Sequence, residues 1–295
     1  MRVFVTGATG FIGGAVTREL LAAGHQVLGL ARSDAGAARL EAAGAEVYRG
    51  TIDEPDGLRA GAEAADGVIH TAFDHSDMGA LSTAAEKDLT VVRALGEALE
   101  GTGKPLVTTY GTTALAPGSV VTEAFRPDLS RPRAAVEALT LRLAEKGVRS
   151  VSLRPSTVVH GHGTAGFVQL LGAVARQKGI SAHPGDGSAR WPAVHVDDAA
   201  VLYRLAIEKA PAASVLHAVG EEGVTARQIA EAIGQGLGLP VASVPPEQAA
   251  EHFGWLGTVF GLDVPASSTA TRDLLGWRPS GPGLIEDIAA EPVFG

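Results

Sequence analysis

Val3-Phe4-Val5-Thr6-Gly7-Ala8-Thr9-Gly10-Phe11-Ile12-Gly13 stands almost at the head of the sequence and decides how the rest is read. A short apolar, β-branched run passes straight into three glycines spaced by three, and helical periodicity follows over residues 13–23. Glycine tolerates a left-handed turn and lets another backbone come close. Between a strand and a helix, Gly7 supplies the tight turn, Gly10 lets a pyrophosphate approach the backbone, and Gly13 lets the helix lie close to the sheet. The helix N-terminus adds unpaired N–H donors and a partial positive charge for the anion. The loop therefore predicts a dinucleotide cradle made by Gly7, Thr9, Gly10, Phe11, Ile12 and Gly13.

Working outward, runs rich in Val, Leu and Ile recur at residues 2–6, 26–31, 45–49, 67–71, 105–110 and 149–153. Such runs suit strands buried on both faces. Helical periodicity fills the gaps at 13–23, 34–43, 54–61, 82–100 and 131–146. Gly24, Gly44, Gly101 and Gly147 lie just past four of these, where a helix end favours a left-handed residue. Strand–helix alternation over short links means βαβ units. The expected fold class is α/β, a Rossmann-type doubly wound parallel sheet with helices on both faces.

The alternation loosens after Pro155, so residues 1–155 are read as the dinucleotide-binding core. Residues 156–295 are read as a smaller α+β substrate-binding part that returns elements to that core. Helices are expected there at 166–178, 197–209, 225–236 and 247–252, and strands at 193–196 and 215–219. The stretch 255–268 is apolar and punctuated by Gly and Pro, which reads as a loop or lid.

Composition narrows the function. A chain of 295 residues, 45% of them hydrophobic, has ample material for a core. A net charge of −9 without any basic run argues against a nucleic-acid partner. No cysteine means no disulfide, thiolate metal site or cysteine nucleophile. No ligand-spaced histidine pair lies on a helix and no G-x-S-x-G elbow occurs, so neither a metal site nor a serine hydrolase is expected. A first strand starting at Arg2 leaves no room for a signal peptide, and no apolar run approaches the roughly 18 residues of a membrane span. A cytoplasmic protein without a membrane partner is the expectation.

Cofactor type is read at the end of the second strand, Leu30-Ala31-Arg32-Ser33. An NAD site usually places a carboxylate there for the ribose hydroxyls, whereas an arginine pairs with a 2′-phosphate and stacks on adenine. Arg32 and Ser33 therefore predict NADP, with NAD the alternative because Asp34 follows directly.

The start Thr6-Gly7-Ala8-Thr9-Gly10-Phe11-Ile12-Gly13 resembles the extended short-chain dehydrogenase/reductase family, which includes sugar-nucleotide epimerases and dehydratases. Similarity continues at Val68-Ile69-His70-Thr71-Ala72, then at Leu153-Arg154-Pro155-Ser156-Thr157-Val158-Val159-His160-Gly161. It resumes at Val194-His195-Val196-Asp197-Asp198 and at Leu275-Gly276-Trp277. The resemblance implies further cofactor contacts. These are Ile52 and Asp53 toward adenine, Thr71, Ala72 and Phe73 beside the ribose, and Pro155, Ser156, Thr157 and Val158 flanking the nicotinamide, together with Thr109 and Arg133. It also implies a homodimer pairing the helices at 82–100 and 131–146.

The family's chemistry uses Tyr-x-x-x-Lys, and here the sequence departs. Four residues beyond Tyr48, Tyr110 and Tyr203 stand Ile52, Ala114 and Ile207. Aligned on Glu137, the tyrosine position falls at Leu129 and the lysine position at Arg133. Candidates for the missing acid are Tyr110, at the end of the fifth strand beside Thr109 and Thr112, with Arg133 tuning its pKa, and His160, where the family has a tyrosine. His195, Asp197 and Asp198 read as a strand end and a helix cap, while Asp74, His75 and Asp77 face substrate or solvent. The expected function is NADP(H)-dependent reduction of a carbonyl-like group with an atypical proton donor. The alternatives are an epimerase or dehydratase using transient oxidation, and a non-catalytic NADP-binding sensor. Phe73, Tyr110, Phe167, Trp191, Trp255 and Phe260, read as pocket residues, point to a small apolar or aromatic carbonyl substrate.

Overall fold

The computed structural model describes residues 1–74, 81–112, 118–131, 133–163 and 166–290. Its strands are β1 (Arg2–Thr6), β2 (Gln26–Ala31), β3 (Glu46–Arg49), β4 (Gly67–His70), β5 (Pro105–Thr109), β6 (Arg149–Pro155), β7 (Val158–His160), β8 (Ser181–Pro184), β9 (Arg190–His195), β10 (Ser214–Ala218), β11 (Glu221–Thr225) and β12 (Val241–Val244). Its helices are α1 (Phe11–Ala22), α2 (Asp34–Ala42), α3 (Pro55–Glu63), α4 (Leu81–Leu99), α5 (Ala134–Arg142), α6 (Phe167–Lys178), α7 (Val196–Lys209), α8 (Ala226–Leu237), α9 (Ala249–Phe253), α10 (Gly257–Phe260), α11 (Thr269–Leu275) and α12 (Leu284–Ala290).

A seven-stranded sheet in the order β10-β6-β5-β4-β1-β2-β3, paired parallel throughout, forms the centre. The strand alternation sorts its side chains into two cores. Val3, Val5, Val27, Ile69 and Val107 lie with Val16 and Leu20 of α1 and Leu202 and Ala206 of α7. Phe4, Leu28, Leu30, Val68 and Leu106 lie with Leu58 of α3, Val91, Leu95 and Leu99 of α4, and Val136 of α5. Full burial of each such side chain contributes about 1.5–3 kcal/mol, which is why these runs lack polar interruptions. The strand order reverses between β1 and β4, which opens a crevice at the carboxyl ends where ligands bind in such sheets.

The second half does not stand apart from this sheet. β10 pairs with β6 as its outermost strand, and α7 packs along α1. Arg149, at the start of β6, donates to the carbonyls of Ile207 at 2.7 Å and Ala210 at 3.0 Å, closing the C-terminal end of α7. The remainder builds a second core around Trp191, Ile229, Phe253, Leu256 and Phe260. There β9 lies between β7 and β11, and β12 pairs with β8.

Two readings of the sequence are corrected here. Residues 255–268 are only partly a loop: a 3-10 turn (Gly254–Leu256) and α10 occupy the stretch to Phe260, residues 261–268 form no helix or strand, and the buried Leu256, Phe260 and Val264 pin both parts to the second core rather than leaving a lid. Short strands β7, β8, β11 and β12 and helices α11 and α12 were not foreseen, because three to seven residues hold too few periods to stand out from a loop.

Candidate functional site

In the glycine loop each glycine answers a different demand. Gly7 sits at φ +71°, and a Cβ there would lie 2.7 Å from the Ala72 nitrogen and from Thr71 Oγ1. A Cβ on Gly13 would lie 2.1 Å from the Gly7 oxygen, so α1 could not keep its place against the turn. Gly10 is different: the nearest atom to its Cβ direction is the Gly7 oxygen at 3.2 Å. The protein's own packing requires the outer two glycines, and the middle one leaves room for something else. Gly10 is also the N-cap of α1 and makes no side-chain cap. The first-turn N–H groups therefore remain for an anion. Phe11 and Ile12 are half-buried and Thr9 stands beside Gly36 across the groove.

At the end of β2, Ser33 Oγ accepts from the Gly36 N–H at 3.1 Å and caps α2. Asp34 is already ion-paired with Arg49, whose strand position lies beside Ala31. Arg32 is exposed and has no partner among the described residues. The local carboxylate is thus engaged, and one guanidinium is left over for a phosphate. Asp53, expected to face adenine, instead receives Lys87 Nζ at 2.7 Å and Thr51 Oγ1 at 2.9 Å. Hydrogen bonds from Lys87 and then Thr51 hold its carboxyl below the usual range. Lys87 also reaches Asp74 at 3.1 Å. Ile52 packs, half-buried, on the core shared by α3 and α4.

The carboxyl ends of β4 and β5 carry a chain of polar contacts. Thr6 Oγ1 meets His70 Nδ1 at 2.6 Å, and His70 Nε2 meets Asp88 Oδ1 at 2.8 Å. Asp88 Oδ2 accepts from Arg133 Nε at 3.2 Å and Nη2 at 2.9 Å. Nη2 also donates to the Thr109 carbonyl at 2.7 Å. The guanidinium lies 4.1 Å above the centre of the Phe73 ring. Thr109 Oγ1 donates to the His70 carbonyl at 2.8 Å and pairs with the Tyr203 hydroxyl at 2.7 Å. Burial alone would raise the Asp88 pKa, but His70 and Arg133 outweigh it and hold the carboxyl below its ordinary value. Asp88 is 2% exposed and Arg133 16%. Arg133 Nη1 has no hydrogen-bond partner among the described residues, and the side chain is 16% exposed. Its two N–H groups form an open edge.

The other candidate acids are placed less favourably. Tyr110 is 1% exposed and packs on Val121 and Phe125. Its enclosed hydroxyl has no partner among the described residues, and burial pushes its pKa up to about 12. His160 lies on β7 with Nδ1 at 2.9 Å from Asp287, Nε2 enclosed without a partner among the described residues, and its ring edge-on to His195. Desolvation lowers its pKa despite Asp287. Ser156 Oγ donates to the Ala218 carbonyl at 2.8 Å, which ties the end of β6 to β10. Pro155 closes β6, Thr157 lies 3.4 Å from Thr112, and Val158 joins the second core. His75 and Asp77 lie outside the described residues.

The aromatic pocket expected from the sequence is corrected. Trp191 and Phe260 are both 1% exposed and meet edge-on in the second core, with Phe167 against Trp191 and Trp255. A donor set for a metal ion does assemble where none was expected. His162, His195 and Asp197 bring ligand atoms within 4.8 Å of one another. These groups already satisfy each other: His162 Nε2 contacts Asp197 at 3.0 Å, and His195 Nδ1 accepts from the Asp197 N–H at 3.3 Å as the cap of α7. Sequence reasoning also missed Asp88 and His70. The available signal was a carboxylate in the apolar stripe of α4, between Ala84, Ala85, Val91 and Val92.

Residues 3–218 match the family model described as NAD dependent epimerase/dehydratase family. Over its whole length the chain is similar to the uncharacterized protein C2A9.02 of Schizosaccharomyces pombe, 46% identical with all of both chains covered. It is also similar to a 2-alkyl-3-oxoalkanoate reductase of Stenotrophomonas maltophilia, 29% identical over 70% of this chain and 66% of that one. Among solved structures it superposes on a dTDP-glucose 4,6-dehydratase of Streptomyces venezuelae with a TM-score of 0.78, covering 98% and 95% of the two chains at 19% identity.

Proposed function

The chain belongs to the NAD-dependent epimerase/dehydratase family, and on that footing we propose that it is an NADP(H)-dependent oxidoreductase that reduces the carbonyl group of a small molecule. The observation that carries this reading is the open Nη1 edge of Arg133, fixed at the carboxyl end of β5 between Asp88 and the Thr109 carbonyl. When bound, the dinucleotide supplies the hydride. The glycine loop and the uncapped start of α1 hold its pyrophosphate, and Arg32 pairs with the 2′-phosphate. Phe73, Thr71 and Ala72 border the reduced ring and its ribose.

Arg133 then does two things at one place. Its N–H groups hold the nicotinamide ribose and stabilise the negative charge that develops on the substrate oxygen. A guanidinium does not give up its proton near neutral pH, so the proton that completes the alcohol comes from water. Hydride and proton together convert the carbonyl to a hydroxyl. The enclosed hydroxyl of Tyr110 takes no part in that transfer. Support for reduction also comes from the oxoalkanoate reductase among the relatives.

We further infer a homodimer through α4 and α5, which pack together and leave Leu129 beside them 66% exposed. Light scattering is expected to give twice the 30.0 kDa chain mass, and a single-chain mass would remove this part. Mass spectrometry of the natively purified protein, followed by NADPH and NADH oxidation against a panel of 3-oxo acids, ketones and aldehydes, tests the main reading. NADPH-dependent consumption of a carbonyl compound is expected. A retained dinucleotide with no turnover on any carbonyl would favour a sensor instead.

A further inference from the structure

Asp88 is a charge in a place made for apolar residues. Its neighbours on the inward stripe of α4 are Ala84, Ala85, Val91 and Val92, and its carboxylate is 2% exposed. A buried ion pair is poor value as a stabiliser, because desolvating both charges offsets most of their attraction. We propose that Asp88, backed by His70 and Thr6, is a positioning chain whose task is to aim the open edge of Arg133 at the bound dinucleotide. The inference rests on the role given to Arg133 above.

The hydrogen-bond directions fit one arrangement throughout. The Ala72 N–H donates to Thr6 Oγ1 at 3.4 Å. The Thr6 hydroxyl donates to His70 Nδ1, and the Nε2–H of a neutral His70 donates to Asp88 Oδ1. Asp88 Oδ2 receives Arg133. From Ala72 to Asp88 each donor meets an acceptor, and Asp88 Oδ2 takes two N–H groups of Arg133, so the negative charge faces the positive one. The chain begins at Ala72, on the segment that borders the ribose, and ends at the guanidinium across the same edge. It therefore couples two walls of one groove.

Arg133 needs such a tether. It occupies the N-cap of α5, the positive end of a helix, where a cation is repelled. Without Asp88 the guanidinium loses its charged partner, and the Thr109 carbonyl and the Phe73 ring are the contacts left to hold it.

The test is a double-mutant cycle on NADPH affinity, read by the fluorescence of the bound nicotinamide in the full-length protein, with melting temperature as the check on folding. Arg133→Ala is expected to weaken binding about tenfold, equivalent to ~1.4 kcal/mol. Asp88→Asn is expected to weaken it to a similar degree. The double variant is expected to bind no worse than Arg133→Ala alone, because Asp88 acts only through the arginine. Thr6→Val, which removes the hydroxyl at the far end without touching either charge, is expected to give a smaller loss that also vanishes in the Arg133→Ala background. Should Asp88→Asn fail to fold, the Thr6→Val cycle decides the matter. If Arg133→Ala weakens binding while Asp88→Asn and Thr6→Val do not, or if the losses add, the positioning chain is wrong and the role of Arg133 stands. If Arg133→Ala leaves NADPH affinity unchanged, the role of Arg133 falls and takes the chain with it.

Discussion

A guanidinium one residue past β2 selects a different ligand from a carboxylate at the same place. Arg32 has no partner among the described residues while Asp34 pairs with Arg49, so Arg32→Ala is expected to weaken NADP binding by about 1.5–3 kcal/mol, the range for a hydrogen bond to a charged group, and to leave NAD binding nearly unchanged. Calorimetric titration of both cofactors measures this, and equal losses would show that Arg32 does not read the 2′-phosphate. At Gly10 an added Cβ meets one atom, the Gly7 carbonyl oxygen at 3.2 Å, and is far less crowded than at Gly7 or Gly13. Gly10→Asp should therefore fold with an unaltered circular dichroism spectrum and lose dinucleotide binding altogether; titration showing retained affinity would place the pyrophosphate elsewhere. Tyr110→Phe removes a hydroxyl that has no partner among the described residues, and turnover is expected to stay within a factor of a few. The sequence located Tyr110 at a strand edge correctly but not its direction. Alternation along the chain turns Thr109 toward Tyr203 and sends Tyr110 to the other side, onto Val121 and Phe125.

Among the elements, those that fold on local information were legible and those that depend on partners were not. The loop into α1, the strands of the central sheet and the long helices each span several periods of their own pattern. β7 and β11 become strands only because β9 lies between them. The link from Asp88 to Arg133 crosses 45 residues of sequence, and nothing local announces it beyond one polar residue in an apolar stripe. At α8 local and tertiary signals agree. Thr225 and Gln228 form a reciprocal capping box, and Ile229 and Ile233 anchor the helix in the second core. Thr225→Ala is expected to lower stability by about 1 kcal/mol, measured by urea denaturation. No change in the midpoint would mean that packing alone holds this helix end.

For the molecule as a whole, a buried histidine sets part of the acid response. The His217 ring donates toward the Ser267 carbonyl at 2.7 Å and faces the Arg154 guanidinium at 3.1 Å. Burial, then the charge of Arg154, lowers its pKa to about 4. In the unfolded chain a histidine takes up its proton near pH 6.5, so between there and about pH 4 the unfolded state binds the extra proton. The stabilisation is complete above the unfolded value and drains away as the pH falls toward the folded one, at no more than ~1.4 kcal/mol per pH unit. His160, shifted the same way by burial, adds to the trend. Melting curves between pH 7.5 and 5 are expected to fall, and His217→Gln to flatten that fall. A parent and variant with parallel profiles would rule His217 out as the source.

The position of β10 also bears on how the chain is made. Since the outermost parallel strand beside β6 is supplied by residues 214–218 and α7 must settle on α1, the N-terminal half leaves the ribosome unfinished. Synthesis at ~5–20 residues per second leaves the rim of β6 without its neighbour for several seconds, and an unpaired strand rim invites association with other chains. Vectorial synthesis thus gives holdase chaperones a defined interval in which to act. Ribosome-stalled chains ending near residue 155 should be bound by such chaperones and cut readily by protease, whereas chains with residue 218 well clear of the exit tunnel should resist.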